Sequence, residues 1–281
     1  MSDLIAAYLT VHTPRYCTHE AAFGNTLAHP DFQAVRDGLV AQGRHLAAMR
    51  PDSIVINSCH LVATFPTVVD GTPRHRGVLT AQEAPELIHG AEYDFPGDYE
   101  LAAAMIERGR AAGHQCVLAN DIHYPLDYGT VMPLVCYLDR SQRIPVVPVS
   151  VTLANDLEEC FHWGQHLVQA VRRCGRRAAF VASGSLSHKI LRGPERWPSP
   201  EDQELDHRFT QMLVDGELEK AWAWLPEYAE TVQAEMGGRH LGMLLGALLE
   251  SGARFSGVAH AYGPSSGSGN SVISLTAGTR A

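Results

Sequence analysis

The chain alternates between short apolar runs, which predict strands, and segments with apolar residues three or four positions apart, which predict helices. Leu4–Val11 and Ser53–Asn57 are apolar runs of strand length. Between them, residues 31–49 carry apolar side chains at helical spacing, and Asp31 is placed to cap that helix. A strand, a helix and a second strand in this order predict a parallel βαβ unit.

The same alternation continues through the rest of the chain. The middle predicts, in order, a helix at Tyr99–Ala112, strands at Cys116–Ala119 and Pro145–Val151, an amphipathic helix at Leu157–Val171 and a strand at Ala178–Ser183. The last third predicts helices at Asp206–Val214 and Leu218–Leu225, a helical segment at Tyr228–Leu249, and strands at Val258–Ala261 and Val272–Leu275. This order predicts one α/β domain over residues 1–281 with a helical portion late in the chain.

Composition limits the functions that this fold can serve. The 281 residues include 22 Lys and Arg against 31 Asp and Glu, which gives a formal net charge of -9. Such an acidic balance disfavours nucleic-acid and anionic membrane surfaces as partners. No apolar run approaches the ~20 residues of a membrane span, and the N-terminus lacks a basic signal-peptide start, so we expect a cytoplasmic protein. Six cysteines without a C-x-x-C pair indicate reduced thiols.

The unusual feature of the composition is its 15 histidines. In open α/β sheets, ligands bind outside the carboxyl ends of the strands. His12 closes the first predicted strand and His60 follows the second, so neighbouring parallel strands would place both imidazoles in one crevice. Two histidines and a carboxylate form the facial triad of non-haem iron oxygenases. The alternative is a pair of strand-end histidines that only caps the sheet.

Two further histidine motifs compete for a functional interpretation. The segment Ser183–His188 places a histidine after another predicted strand, where an imidazole can transfer protons, although an ordinary turn is the alternative. His162 and His166 lie four residues apart on a predicted helix, which is the spacing of zinc-protease ligands. That pair lacks the glutamate that acts as general base, so a solvated helix face is the favoured interpretation.

The joint order of these motifs resembles the class III extradiol ring-cleavage dioxygenases. This family includes the protocatechuate 4,5-dioxygenase β subunit, homoprotocatechuate 2,3-dioxygenase and the 2-aminophenol 1,6-dioxygenase β subunit. The matching features span nearly the whole chain and are, in order, His12, His60, Asp127-Tyr128-Gly129-Thr130, Ser183-Gly-Ser-Leu-Ser-His188, Leu225-Pro226-Glu227-Tyr228, Glu235 before Met243-Leu244-Leu245-Gly246, and Gly267-Ser268-Gly269-Asn270. The resemblance implies a three-layer α/β sandwich with a mixed, largely parallel central sheet.

The resemblance also implies roles for individual residues. It implies an Fe(2+) site with three protein ligands, His12, His60 and Glu235. Glu227 and Glu230 remain alternatives for the carboxylate, because they lie close in sequence. His188 matches the acid–base histidine. Tyr128 stands where aminophenol-type members carry Tyr and protocatechuate-type members carry His, and we expect it to donate a hydrogen bond to the substrate. His123 is a candidate substrate contact, with an ordinary loop histidine as an equal alternative.

By this resemblance the protein is an enzyme that acts on a small aromatic substrate and O2. It would open the ring of a catechol or 2-aminophenol-type compound next to the oxygenated carbons and give a semialdehyde-type product. We expect a homo-oligomer, or a hetero-oligomer with a related subunit. Two alternatives keep the fold: a zinc-dependent hydrolase, since His/His/Glu also suits zinc, and a non-catalytic structural subunit. Arg15, Lys189 and Arg192 lie near enough in sequence to meet a substrate carboxylate, although each can equally be solvated.

Overall fold

The computed structural model describes residues 3–17 and 30–278, and the structural statements below concern that part of the chain. Its strands are β1 Asp3–Thr10, β2 Ser53–Ala63, β3 Thr67–Asp70, β4 Arg74–Leu79, β5 Ala91–Pro96, β6 Cys116–Ala119, β7 Val146–Thr152, β8 Arg177–Ser183, β9 Phe255–Ser265 and β10 Ser268–Ala277. Its α-helices are α1 Pro14–Cys17, α2 Pro30–Met49, α3 Tyr99–Ala111, α4 Tyr128–Pro133, α5 Leu157–Arg173, α6 Pro200–Asp215, α7 Leu218–Thr231 and α8 Arg239–Ser251. A π-helical turn at Leu134–Leu138 follows α4, and a 3-10 turn at Glu235–Gly238 precedes α8.

Eight of these strands form one mixed sheet in the order β6-β3-β7-β2-β8-β1-β10-β9. The strands β7, β2, β8 and β1 run parallel, as do β3 and β6, while β10 pairs antiparallel with both β1 and β9. A separate antiparallel hairpin is formed by β4 and β5. The prediction of an α/β fold with a mixed, largely parallel sheet and a helical portion late in the chain is confirmed.

Helices cover both faces of this sheet, which makes three layers. Alternate residues of β8 show the division, because Phe180 packs into a core with α3, α5 and α8 while Val181 packs into a second core on the opposite face. The second core holds side chains of α2, α4 and the β4–β5 hairpin. Strands that are apolar on both sides are typical of parallel sheets with helices on both faces.

The predicted βαβ unit is correct in strand direction but wrong in strand adjacency. We expected β1 and β2 to be neighbours, whereas β8 lies between them and pairs in parallel with both. The register aligns Thr10 of β1 and Ser58 of β2 with the same residue of β8, Ser183. The carboxyl ends of β1 and β8 therefore lie beside Ser58, the point at which the register of β2 shifts.

Several predicted element ends differ from the structure. The strand predicted to end at Asn57 continues to Ala63 past a register shift, so His60 lies within β2 rather than after it. The segment predicted as helical over Tyr228–Leu249 is split, because Met236, Gly237 and Gly238 adopt positive φ between α7 and α8. Asp31 lies in the first turn of α2 rather than at its N-cap, since Pro30 already fits the first helical position.

Other elements were not predicted at all. The strand β3 and the β4–β5 hairpin lie in a region for which we predicted no strand. The last two strands are longer than predicted and take up most of the Gly/Ser-rich stretch between them, leaving a tight turn at Ser266 and Gly267. Over residues 3–17 and 30–278, no helix combines the length and apolar character needed to cross a membrane.

Candidate metal centre

The three residues predicted as metal ligands come together at the aligned strand ends. His12 lies two residues beyond β1, His60 lies on β2, and Glu235 begins the 3-10 turn before α8. One ligand atom from each lies within 4.8 Å of the others. The Nε2 atoms of His12 and His60 lie 3.3 Å and 3.4 Å from Oε1 of Glu235. Within the part of the chain that the structure describes, no other group of three such side chains is this close.

Hydrogen bonds fix which nitrogen of His12 carries its proton. Ser183 has one hydroxyl proton, which it donates to the carbonyl oxygen of Gly129 at 2.6 Å. The 3.1 Å contact between Ser183 Oγ and His12 Nδ1 must then be donated by the imidazole. Nε2 of His12 therefore faces the Glu235 carboxylate either with a lone pair, which a cation can use, or with the second proton of an imidazolium. Two acceptors facing each other at this distance require a cation or an additional proton between them.

Glu235 is buried and ionised, and only one of its oxygens faces the histidines. Its Oε2 accepts hydrogen bonds from the backbone N–H and the hydroxyl of Ser185, both at 2.6 Å. Its own backbone N–H donates to the carbonyl oxygen of Leu186, which ties the turn to the segment after β8. Burial by itself would raise the pKa of the carboxyl, but the neighbouring imidazoles of His12, His60 and His188 hold that pKa well below its usual range.

His60 has a carboxylate at each end of its ring. Nε2 faces Glu235, while Nδ1 lies 3.5 Å from Oε1 of the more exposed Glu83. Burial favours a lower pKa for His60, but the attraction of Glu235, with Asp127 and Glu83 adding to it, raises the pKa above its usual value. The donor set of two imidazoles and one carboxylate suits Fe(2+) and also Zn²⁺, so these residues fit a divalent metal ion.

Tyr128 is placed against His60 by the start of α4. Asp127 caps this helix, accepting hydrogen bonds from the backbone N–H and the hydroxyl of Thr130 at 3.0 Å and 2.6 Å. The Tyr128 hydroxyl then lies 2.6 Å from His60 Nε2. Burial, with Glu235 next in importance, raises the pKa of the phenol, so it stays protonated at neutral pH and can donate.

Gly129 is the position where α4 approaches the centre most closely. A methyl group there would lie 2.3 Å from the Oγ of Ser58, a hydroxyl that donates to Asp127 at 2.5 Å, and 3.4 Å from the His12 ring. Only glycine fits this contact. Three residues of the motif Asp127-Tyr128-Gly129-Thr130 therefore shape the site. Asp127 caps the helix, Tyr128 places its hydroxyl beside His60, and Gly129 leaves room for Ser58. From the sequence we had predicted a role for Tyr128 alone.

His188 stands beside the three-residue cluster on the segment that follows β8. Its Nδ1 lies 2.8 Å from the hydroxyl of Ser185, the side chain that also contacts Glu235. Burial lowers the pKa of His188 below its usual value. The imidazole is therefore neutral near pH 7 and has a lone pair with which to accept a proton.

Other residues considered from the sequence are not members of the three-residue cluster of His12, His60 and Glu235. Glu227 and Glu230 are exposed on α7, whereas Glu235 is 3% exposed. His123 lies in an exposed turn, where its backbone N–H donates to Asp121. Of the pair on α5, His162 is half-buried and His166 is buried beside Trp163 rather than solvated as expected, since its face of the helix packs inward.

A pocket of about 290 Å³ opens next to His60 and Tyr128. Its lining combines apolar side chains such as Leu79 and Leu126 with the polar groups of Thr80 and Glu83. No Lys or Arg is among the described residues that line it. The pocket therefore borders the metal centre through His60 and Tyr128.

Fold and site together define a class of protein: an α/β sandwich with a histidine, histidine and glutamate centre at the ends of parallel strands and a neutral histidine beside it. Comparison of the sequence with known protein families then identifies the family to which the chain belongs. The chain belongs to the LigB family, the catalytic LigB subunit of aromatic ring-opening dioxygenase, which it matches over residues 6–272. Members of this family are oxidoreductases that incorporate O2, and the resemblance inferred from the sequence motifs is confirmed.

Among curated relatives, the 3,4-dihydroxyphenylacetate 2,3-dioxygenase of Escherichia coli is 26% identical over 255 residues, which cover 88% of this chain and 91% of that protein. The 2-aminophenol 1,6-dioxygenase alpha subunit of Pseudomonas sp is 26% identical, with 90% of this chain and 96% of that subunit covered. The beta subunit of the same enzyme is also 26% identical, with 80% and 78% covered. The chain thus resembles both an alpha and a beta subunit of 2-aminophenol 1,6-dioxygenase.

A solved structure has the same fold. The crystal structure of uncharacterized protein JW3007 from Escherichia coli K12 covers 98% of this chain and 100% of its own, with a TM-score of 0.64. Its sequence identity is 19%, so this likeness concerns the fold alone.

Proposed function

We propose that this protein is an Fe(2+)-dependent extradiol dioxygenase that opens the ring of a catechol or 2-aminophenol-type substrate next to the oxygenated carbons. The observation that carries the proposal is the convergence of His12, His60 and Glu235, with His188 alongside, in a chain of the ring-opening dioxygenase family. The domain proposed for this activity is the whole of residues 1–281. When bound, Fe(2+) would supply open positions for the two neighbouring ring substituents of the substrate and for O2, and would lower the pKa of a bound hydroxyl.

The chain's own residues supply the proton chemistry. His188 is neutral near pH 7, so it can take a proton from the second substrate hydroxyl or amino group and later return it. A nitrogen has one lone pair, so Tyr128 cannot keep its hydrogen bond to His60 Nε2 while that nitrogen binds a metal. The Tyr128 hydroxyl is then available to donate to a substrate oxygen in the pocket that it lines.

The pocket supports an uncharged ring more than a carboxylated one. A substrate carboxylate needs a cationic partner, and Lys189, one candidate, is paired with Asp202 at 2.8 Å and 3.0 Å. Arg192 is exposed. We therefore propose a catechol or 2-aminophenol without a carboxyl group as the preferred substrate. Relatives that are alpha and beta subunits favour an oligomer, either of identical chains or with a related subunit.

The proposal is tested by loading the metal-free protein with Fe(2+) under anaerobic conditions and then admitting O2. A panel of catechols, 2-aminophenols, dihydroxypyridines and carboxylated catechols is followed by O2 uptake and by absorbance of the ring-opened product. We expect uptake with the uncarboxylated rings and none with Zn²⁺ in place of iron. Ester or amide hydrolysis by the zinc form, without O2 uptake by the iron form, would establish the hydrolase alternative instead. Failure of both metals to support a reaction would indicate a structural subunit.

His188→Ala separates metal binding from proton transfer. The variant should bind iron like the wild type, since His188 is not among the three metal-facing side chains, and should lose turnover by about 10²–10⁴-fold. Iron content and initial rates measure the two effects. An unchanged rate would remove His188 from the proton transfer.

A further inference from the structure

Ser185 joins the two halves of the centre. Its hydroxyl lies 2.6 Å from Oε2 of Glu235 and 2.8 Å from Nδ1 of His188, so one atom contacts both the carboxylate and the neighbouring imidazole. The hydroxyl is buried, with the side chain 3% exposed. This contact lies within the segment Ser183–His188, in which sequence reasoning assigned a role to His188 alone.

Counting protons fixes the direction of both hydrogen bonds. The Ser185 hydroxyl donates its single proton to Oε2 of Glu235 at 2.6 Å, the same oxygen that accepts from the Ser185 backbone N–H. The oxygen of Ser185 is then an acceptor toward His188, and Nδ1 of the imidazole must carry the proton. A neutral imidazole protonated at Nδ1 has its lone pair on Nε2.

We propose that Ser185 is a positioning residue that holds His188 in the Nδ1-protonated tautomer and so makes Nε2 the nitrogen that accepts the substrate proton. The same hydroxyl aims Oε2 of Glu235 away from the histidines, which leaves Oε1 toward the metal position. The kinetic consequence rests on the proposed dioxygenase function, whereas the tautomer is a property of the chain alone.

The backbone of residue 185 makes the two roles separable. Ser185 donates to Glu235 through both its hydroxyl and its N–H, each at 2.6 Å. Ser185→Ala removes only the hydroxyl, so Glu235 keeps one hydrogen bond while His188 loses the acceptor for its Nδ1 proton. Metal binding should therefore suffer little, and the orientation and tautomer of His188 should change.

Ser187 provides a matched control in the same turn. Its hydroxyl is also buried and also donates to a carboxylate, at 2.7 Å to Asp206. Asp206 receives further hydrogen bonds from Tyr228 and Tyr262, and none of these groups belongs to the metal-facing cluster. Ser187→Ala thus removes an equivalent buried hydrogen bond without touching His188.

The first measurement uses the metal-free protein and needs no turnover. Proton–nitrogen NMR of protein labelled with ¹⁵N-histidine, at a pH where His188 is neutral, distinguishes the protonated from the unprotonated ring nitrogen. The His188 signals are identified by their loss in His188→Gln. We expect a protonated Nδ1 in the wild type and in Ser187→Ala, and a shift of the proton toward Nε2 in Ser185→Ala. A wild-type His188 protonated at Nε2, or the same tautomer in all three proteins, would overturn the proposal.

The second measurement uses the iron-loaded protein. Ser185→Ala should lower kcat about tenfold or more with KM and iron content changed less than about twofold, while Ser187→Ala keeps the wild-type kcat. Equal kcat in wild type and Ser185→Ala would contradict the positioning role. If no variant and no wild type turns over any ring, the dioxygenase proposal fails, and the NMR result still decides the tautomer.

Discussion

His166 offers a stability prediction that can be worked out from the structure. It is 9% exposed on α5, and neither ring nitrogen has a hydrogen-bond partner among the described residues. Burial, with His114 and His162 adding to it, lowers the pKa of His166 from 6.5 to about 4. The folded protein thus keeps this imidazole neutral at a pH where the unfolded chain binds a proton.

The sign and size follow from proton linkage. Because the unfolded state binds more protons, His166 lowers the free energy of unfolding as pH falls from about 6.5 toward 4. At pH 5 this loss is about 2 kcal/mol, and at pH 7 it is about 0.2 kcal/mol. His166→Leu removes the titrating group. The difference in free energy of unfolding between variant and wild type should therefore be about 2 kcal/mol more favourable to the variant at pH 5 than at pH 7, where it reflects the change in packing.

The assay is thermal unfolding of wild type and variant at pH 5 and pH 7 in the same buffers. For a chain of this size, 2 kcal/mol corresponds to about 3 °C in Tm. The Tm difference between variant and wild type should therefore be about 3 °C larger at pH 5. His89→Leu carries the same substitution at an exposed position and serves as control. An equal Tm difference at both pH values would refute a neutral, buried His166.

Three further predictions concern the centre itself. Glu235→Gln should bind iron much more weakly in equilibrium dialysis, whereas Glu230→Gln on the exposed face of α7 should bind it normally. Weak binding by Glu230→Gln and normal binding by Glu235→Gln would identify Glu230 as the carboxylate ligand instead. Tyr128→Phe should keep iron but change kcat or the order of substrates in the panel, and identical kinetics would make it a packing residue. Gly129→Ala should lower Tm by about 2–5 °C, since its methyl group would displace the Ser58 hydroxyl at a cost of about 1–3 kcal/mol; an unchanged Tm would mean that the helix shifts freely.

Periodicity and motif order predicted most of the sheet and the layers, because buried parallel strands are continuous apolar runs that stand out in any sequence. The β4–β5 hairpin was not predicted, because its buried positions include His75 and alternate with charged residues such as Arg74 and Arg76, so it contains no apolar run.

The order of the strands in the sheet was not predicted either. That β8 lies between β1 and β2 depends on pairings across about 170 residues of chain, which local patterns do not encode.

Site residues divide in the same way. His12, His60 and His188 could be proposed from strand ends, whereas Glu235 was proposed only from the family resemblance, with Glu227 and Glu230 as alternatives. The hydroxyl partners could not, since serine is common in turns and its role is decided by which atom it meets after folding. Only the tertiary structure shows that the Ser183 hydroxyl contacts both His12 Nδ1 and the carbonyl oxygen of Gly129. Because that hydroxyl donates its proton to the carbonyl, Nδ1 of His12 must carry a proton.

The metal-facing residues come from distant parts of the chain, so the centre can form only late in folding. β1 pairs with β8 from residue 177 onward, and the Glu235 carboxylate arrives later still in the chain. Such long-range pairing folds slowly, and no early fragment holds all three metal-facing groups. A metal that binds only the completed centre would stabilise every element at once, by about 2.7 kcal/mol at a hundredfold excess over its Kd. The concentration of metal would thereby affect the stability of the whole fold and not of the centre alone.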